Sequence, residues 1–542
     1  MLKLTTIILI ISLVGLTIGG DAARMYLVDD DGPSQYKSIS EAVDAANDGD
    51  TIRIKPGTYR EHLTLEKSIS IMPLPGENDE CLLSGDGNEI GIEILADGCI
   101  IEGLTIANFR GPGIYVASNG NDITKNVFKN NVHGIFLNES SNNNIESNKE
   151  IGGYAGIVLF GAKENTIKEN SAEDCKLAGI VFNSAQNNVV TNSVCKECER
   201  GFYLHTSSND NELISSKVEN STTSIVVDSC SGNKIQGNVI LNSTNGISLL
   251  ASGGNSISDN QLSKLGYGIM VSDSSANKLV SNGIDEADSG IMVWNSSKNV
   301  LEKNVIIDVG LGIHVDGSSE IAFDNQIAES NSLEGKPILY HYGQSNLNVQ
   351  NRECAHITLA HCDGCTIEDN VITNDALFVY SSKNNQIRGN EIYNVYGMYV
   401  RDSLNNQIVE NQVCNNKYNG MLLINSSSNQ ILDNVLNQNS LDGIFLNDAS
   451  DTNEIIGNSF EENRVGVNLN QSNQNVIYHN NFVKNANQAE DRGDNLWDWG
   501  VLVGGNYWSD HQCVGNPCQN LPREIGNTTA DYYPFQDIDG WL

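Results

Sequence analysis

Asn121-Asp-Ile-Thr-Lys-Asn126, Asn143-Asn-Ile-Glu-Ser-Asn148 and Asn165-Thr-Ile-Lys-Glu-Asn170 repeat one hexapeptide, Asn-x-[Ile/Leu/Val]-x-x-Asn, at steps of 22 residues. The pattern opens again at Asn187 and, with its last position varied, at Asn211. It then continues at Asn233, Asn255, Asn277 and Asn299, and after an interruption at Asn385, Asn406, Asn429, Asn453 and Asn475. Beyond each hexapeptide comes a Gly-apolar step, as in Gly134-Ile135, Gly156-Ile157, Gly179-Ile180, Gly290-Ile291 and Gly312-Ile313. A period held through so many copies defines a repeat architecture rather than a set of ordinary domains.

Each unit carries two or three short apolar/polar alternations separated by Asn, Gly and Ser, which is strand and turn chemistry. No window in the repeats shows a helical apolar face. Strands this short bury nothing alone, so coil must stack upon coil at about 4.8 Å. The expected fold is all-β: a right-handed, single-stranded parallel β-helix of about 22-residue coils with capped ends. The recurring asparagines then lie above one another at turns, where their amides bond along the stack and where asparagine tolerates left-handed backbone. Roughly sixteen such coils give a rod near 80 Å long.

Flanking segments depart from the period. Residues 1–23 read as a secretion signal: Lys3, an apolar run from Thr6 to Ile18, and the small residues around Gly20 and Ala22-Ala23. An uncleaved anchor is the alternative, and no second apolar stretch of that length follows, so no membrane span is expected after signal removal. The destination is secreted or cell-surface. Residues 24–112 form an N-terminal cap and the first coils, with Ser38 to Ala46 as an amphipathic helix. Residues 113–480 hold the repeats, broken near 330–361 by an insertion expected to project as a loop over one face. Residues 481–542, carrying Trp497, Trp499, Trp508 and Trp541, form the C-terminal cap.

The formal net charge is −36, from 68 acidic and 32 basic residues, which disfavours nucleic acid and anionic lipid as partners. In an exported chain, Cys513 and Cys518 are the best disulfide pair. Cys195/Cys198 and Cys362/Cys365 form C-x-x-C spacings without a second ligand pair nearby, and several cysteines fit the role of small buried hydrophobes. Sequons at Asn138, Asn220, Asn242 and Asn295 suit solvent-facing turns of an exported glycoprotein.

The segments Tyr36-Lys-Ser-Ile-Ser-Glu-Ala-Val-Asp-Ala-Ala46 and Gly49-Asp-Thr-Ile-Arg-Ile-Lys-Pro-Gly-Thr-Tyr59 resemble the entry of pectin-lyase-like right-handed β-helices. The repeats are similar to those of the NosD-type and carbohydrate-binding and sugar hydrolase (CASH) families. Gly335-Lys-Pro-Ile-Leu-Tyr-His-Tyr342 and Gly505-Asn-Tyr-Trp-Ser-Asp510 resemble segments of exported archaeal members. The resemblance covers nearly all of the mature chain. It implies the fold, but these families include lyases, esterases, epimerases, adhesins and a copper-site maturation factor, so function must come from the site.

The site is expected on one sheet face. With each step glycine at position zero, positions one and three are apolar and point inward, so positions two and four face outward. Instead of Thr, Ser and Lys, that stripe carries Tyr115, Phe136, Phe160, Tyr203, His205, Met270, Met292, Trp294, His314, Asp316, Phe378, Tyr380, Tyr399, Arg401 and Phe445. An exposed aromatic row implies a partner. Three readings follow. In the first, Tyr115, Phe136, Tyr203, His205, Trp294, Phe378, Tyr380 and Tyr399 stack on the sugar rings of an extended polysaccharide or envelope glycan. Asp228, Asp316, Arg401 and Asp402 then bind its hydroxyls. In the second, His314, Asp316, Arg401 and Asp402 are catalytic, making the protein a polysaccharide lyase, hydrolase or epimerase. The resemblance implies Ca²⁺ and an arginine base for a lyase, while hydrolysis needs two converging carboxylates. The sequence separates Asp316 from Arg401 by several coils and shows no acid triplet on adjacent ones. The bland alternative for His314 and Arg401 is a solvated face. In the third, Met270, Met292 and His314 form a column suited to copper, with Trp294 beside it; adaptable packing methionines are the alternative.

Overall fold

The computed structural model describes residues 23–76, 80–393, 396–526 and 529–542; apart from residue 23, the export-signal reading lies outside them. The described chain is a right-handed parallel β-helix of the pectin-lyase type. Each coil contributes its inward apolar residues to a continuous column. Thus Ile114, Ile135, Ile157, Ile180, Phe202, Ile225, Ile247, Ile269, Ile291 and Ile313 stack in register and are buried.

The asparagines form hydrogen-bonded ladders through the turns. Asn126 Nδ2 and the Asn126 backbone N–H both donate to Asn148 Oδ1, at 3.1 and 2.9 Å, and Asn148 repeats this toward Asn170. Asn126 Nδ2 also donates to Ile101 O at 2.9 Å, so the buried amide is fully used. Two details differ from the sequence reading. The ladder residue of the fourth repeat is Asn188, not Asn187. The left-handed backbone belongs to the residue before each rung, such as Lys125, Asn142, Ser147, Glu164 or Asn187, rather than to the rung itself. Asn tolerates that conformation, but its conserved amide is needed one position later.

The ends are closed as expected. Helix Ile39–Ala45 begins at Ser38, whose hydroxyl accepts the Glu41 N–H at 3.2 Å, and buries Ile39, Ala42 and Val43 against the first coils. At the other end Trp497 and Trp508 are buried, with Trp508 stacked on Phe482 at 4.2 Å. Their indole N–H groups donate to Asp491 and Asp531, each at 2.8 Å. Cys513 and Cys518 form a disulfide in this cap.

The molecule is not one straight rod. Strand Val305–Asp316 pairs onward only through Val305 and Ile306, which meet Ser332 and Leu333. The chain then turns back in an antiparallel hairpin with Lys336–Tyr342. That strand founds a new parallel sheet, followed by His356–Ala360, Ala376–Tyr380, Gly397–Arg401, Met421–Ile424 and Asp442–Asn447. Residues 330–361 are therefore threaded into the sheets rather than projecting as a loop.

This break makes two stacks. From the new sheet, Leu339, Ile357, Leu359, Leu377 and Val379 fill the core of the second stack. The alternate residues Ile338, Ala360, Ala376, Phe378 and Tyr380 enter the core of the first. An open solenoid end would expose its apolar interior and unpaired strand edge. Here the outer face of the second stack covers the end of the first.

Candidate functional site

The break places the last strand of the first stack against the outward residues of the second. The inner angle between them holds a cleft of about 330 Å³, lined by Leu311, His314, Asp316, Phe378, Tyr380, Tyr396, Tyr399, Tyr418, Asn419 and Leu422. Tyr396 and Tyr418 stack at its wall with ring centroids 4.6 Å apart.

Asp316 and Arg401, which the sequence separates by several coils, meet here. The Arg401 guanidinium takes both oxygens of the Asp316 carboxylate, one at 2.9 Å. It lies 4.8 Å from the centre of the Tyr380 ring, and its Nε is 3.4 Å from Asp402. Burial works against the Arg401 charge, but the bond and field of Asp316 outweigh it and hold the guanidinium firmly protonated. His314 Nε2 is 3.9 Å from Asp316, and the imidazole meets Phe378 edge-on at 5.2 Å. Burial depresses its pKa, against the pull of Asp316, so the ring is neutral at pH 7. Burial likewise raises the phenols of Tyr380 and Tyr399 and takes Tyr396 to about 12, Tyr418 adding to the last.

Behind the cleft, Asp375 Oδ2 lies 3.0 Å from His356 Nδ1 and accepts the Gly312 N–H at 3.2 Å, tying the stacks together. His314 Nδ1, Tyr380 OH and Asp375 Oδ1 are buried without a hydrogen-bond partner among the described residues. Buried polar atoms without partners are uncommon and mark places where water or a ligand completes the bonding.

The stripe itself is less uniform than its sequence suggests. Its outward column runs in register from Tyr115 through Phe136, Val158, Val181, Tyr203, Val226, Ser248, Met270 and Met292 to His314. Tyr115 stacks on Phe136 at 5.8 Å, and Phe136 on Phe160 at 6.2 Å. Tyr203 stacks on His205 at 4.4 Å, under Arg200. Trp294 is 48% exposed and pairs in register with Asp316 at the cleft edge. Phe378 and Tyr380, however, are not exposed: at 4% and 1% they plug the joint, with only their edges reaching the cleft. Met270, Met292 and His314 do fall on three consecutive strands at one position.

The sequence reading missed Asp375, Tyr396 and Tyr418. Tyr396 lies immediately before a step glycine, and Tyr418 two residues before one, a region the position-two rule does not sample. Among the described residues, the one group of three His, Cys, Asp or Glu donors mutually within 4.8 Å is Asp29, Asp30 and Asp31, in the N-terminal segment and not in the cleft.

The family "Periplasmic copper-binding protein (NosD)" matches residues 77–245, 205–336 and 323–513, well over half of the chain. The protein belongs to the NosD family. A search of curated proteins gives no significant match. Among solved structures, the GH136 lacto-N-biosidase of Eubacterium ramulus is similar at 13% identity and TM-score 0.42, over 57% of this chain and 67% of that one. The tailspike protein of Escherichia coli bacteriophage HK620, in complex with a pentasaccharide, gives 11% identity and TM-score 0.44 over 64% and 75%. The PL6 family alginate lyase AlyGC gives 11% and 0.37 over 84% and 96%. No helix among the described residues is long and apolar enough to cross a membrane.

Proposed function

We propose that this NosD-family protein works outside the cytoplasm and binds an extended glycan of the cell envelope, with the cleft between the two stacks as its principal subsite. The observation carrying this reading is the union, in one concave corner, of the Tyr396, Tyr399 and Tyr418 rings with Asp316, whose carboxylate Arg401 holds. Aromatic faces stack on the apolar faces of sugars, while the polar groups beside them fix hydroxyls. The acidic surface favours a neutral or cationic polymer. The outward residues Tyr115, Phe136, Tyr203, His205 and Trp294 extend the track. Recognition is favoured over hydrolysis because Asp316 and Asp402 both contact Arg401, so each serves a guanidinium rather than facing the other across a bond to be cleaved. A glycan array with and without Ca²⁺, followed by product analysis of each hit, tests this. Binding without turnover supports it; unsaturated or shortened products would instead make His314, Asp316, Arg401 and Asp402 catalytic.

A second reading rests on the column Met270, Met292 and His314. Two thioethers and a neutral imidazole make a soft donor set suited to Cu(I), and the buried, unpartnered Nδ1 of His314 is a free donor atom. The description of the family supports it. Cu(I) titration of the wild type against Met292→Leu decides: a clear loss of affinity supports the reading, and identical affinity overturns it.

A further inference from the structure

The C-x-x-C spacing draws attention to Cys195 and Cys198, but the fold separates them. Cys195 lies in the column Phe128, Glu150, Ala172, Cys195, Val218 and points into the core. Cys198 lies in the turn beyond, on the rung directly above Cys175. The stacking is fixed by the pairing of Glu173 with Lys196 and by Glu199 N–H donating to Cys175 O at 3.0 Å. Elsewhere this turn position holds Asn131 and Ser243, whose side-chain oxygens accept the Phe109 and Ser221 N–H groups of neighbouring rungs, and Ser221, whose hydroxyl donates to Glu219 O in its own turn. At Cys175 and Cys198 two buried free thiols stand one above the other instead, Cys175 Sγ donating to Glu173 O at 3.9 Å and Cys198 Sγ to Lys196 O at 3.4 Å and Ala172 O at 3.8 Å.

The surroundings contain a packing defect. Glu150 occupies a core position with neither carboxylate oxygen hydrogen-bonded among the described residues, and it lines a small void together with Ala172 and Cys195. One rung below Cys175, Gly153 gives the turn ladder no side chain at all.

We propose that Cys175 and Cys198 form a disulfide that staples consecutive coils beside this void. Adjacent rungs about 4.8 Å apart fall within the Cα separation a disulfide spans. The chemistry is thiol–disulfide exchange with an oxidoreductase or glutathione disulfide while these coils are still open. The Cys198 sulfur loses its proton and attacks the oxidant's disulfide, expelling one thiolate. Cys175 then gives up its proton and attacks the mixed disulfide, expelling the second thiol. Two protons and two electrons leave the pair, and the oxidant becomes two thiols.

The test uses the full chain folded in a glutathione redox buffer, unfolded without reductant in the presence of an alkylating agent, and digested with trypsin. Cleavage after Lys168, Lys176, Lys196 and Arg200 puts Cys175, Cys195 and Cys198 on three different peptides. The expected product is peptide 169–176 linked to 197–200, with Cys195 alkylated. Complete alkylation of Cys175 and Cys198, or a link from Cys198 to Cys195, would overturn the proposal. As a second measurement, reductant should lower the Tm of the wild type by several degrees more than that of Cys198→Ala, in which Cys513–Cys518 is still reduced; equal responses would also overturn it.

Discussion

Phe136 and Phe378 hold equivalent outward positions, each two residues beyond the start of its Gly- or Ala-apolar step, yet one lies on an open face and the other in a core. The outward column of the first stack from Tyr115 to His314 is half-buried at Tyr115, Phe136, Tyr203, Met270, Met292 and His314 and buried at Val158, Val181, Val226 and Ser248. The second stack presents Thr358, Phe378 and Tyr399 on the same side of its sheet and presses them against the end of the first. The local pattern is the same, and the difference comes from the break after Asp316. An outward apolar residue on a solenoid is therefore either a ligand surface or a seam between stacks, and only the break tells which.

The sharpest way to break this comparison is to truncate both rings. Phe378→Ala should cost about 3–5 kcal/mol, because it opens a cavity in the joint, whereas Phe136→Ala should cost about 1 kcal/mol. Denaturant unfolding of both variants measures this, and equal losses would show that Phe378 does not hold the seam.

The interiors also differ. The second stack has Cys354, Ile372, Ile392 and Val413 in the equivalent inner column, while the first has Glu150. Burial pushes the Glu150 carboxyl from 4.5 to about 9. The folded-state pKa is raised, so its stabilising contribution is complete below about pH 4.5 and is lost progressively as pH approaches 9. At pH 7 that loss is about 3 kcal/mol. Glu150→Gln should remove this component from a stability–pH curve; an unchanged slope between pH 5 and 9 would contradict the assignment.

Arg401→Gln should destabilise the seam by about 2 kcal/mol, since Asp316 keeps its partly buried charge without the guanidinium. Hydrogen exchange should rise in residues 305–323 and stay constant in the first coils, and uniform protection would count against the seam. The smallest expected change in stability, within about 0.5 kcal/mol, is that of Tyr418→Ala, which is 44% exposed and packs only at the cleft wall.

Much of this architecture was legible in the sequence. The 22-residue period, the stacked amides, the helix begun at Ser38, the tryptophan-bearing cap and the Cys513–Cys518 bridge all follow from local chemistry. The register slip at Asn187 arises because Asn187-Asn188-Val189-Val190 satisfies the pattern in either frame. The site was harder. The interruption near residues 330–361 is visible, but its geometry depends on how a whole sheet seats on a solenoid end, which no repeat encodes. Hence Asp316 and Arg401, 85 residues apart in sequence, were each recognised and not joined. The insertion was expected to project as a loop over one face; instead the cleft beside His314 and Phe378 is walled by the second stack.

The central claim is that ligand recognition lies at the joint rather than along the open face. Titrating one bound oligosaccharide into wild type, Tyr418→Ala and Tyr115→Ala tests it most directly. The account predicts at least a tenfold loss of affinity for Tyr418→Ala, about 1.4 kcal/mol, and less than about threefold for Tyr115→Ala. Equal losses, or a larger loss at Tyr115, would contradict it.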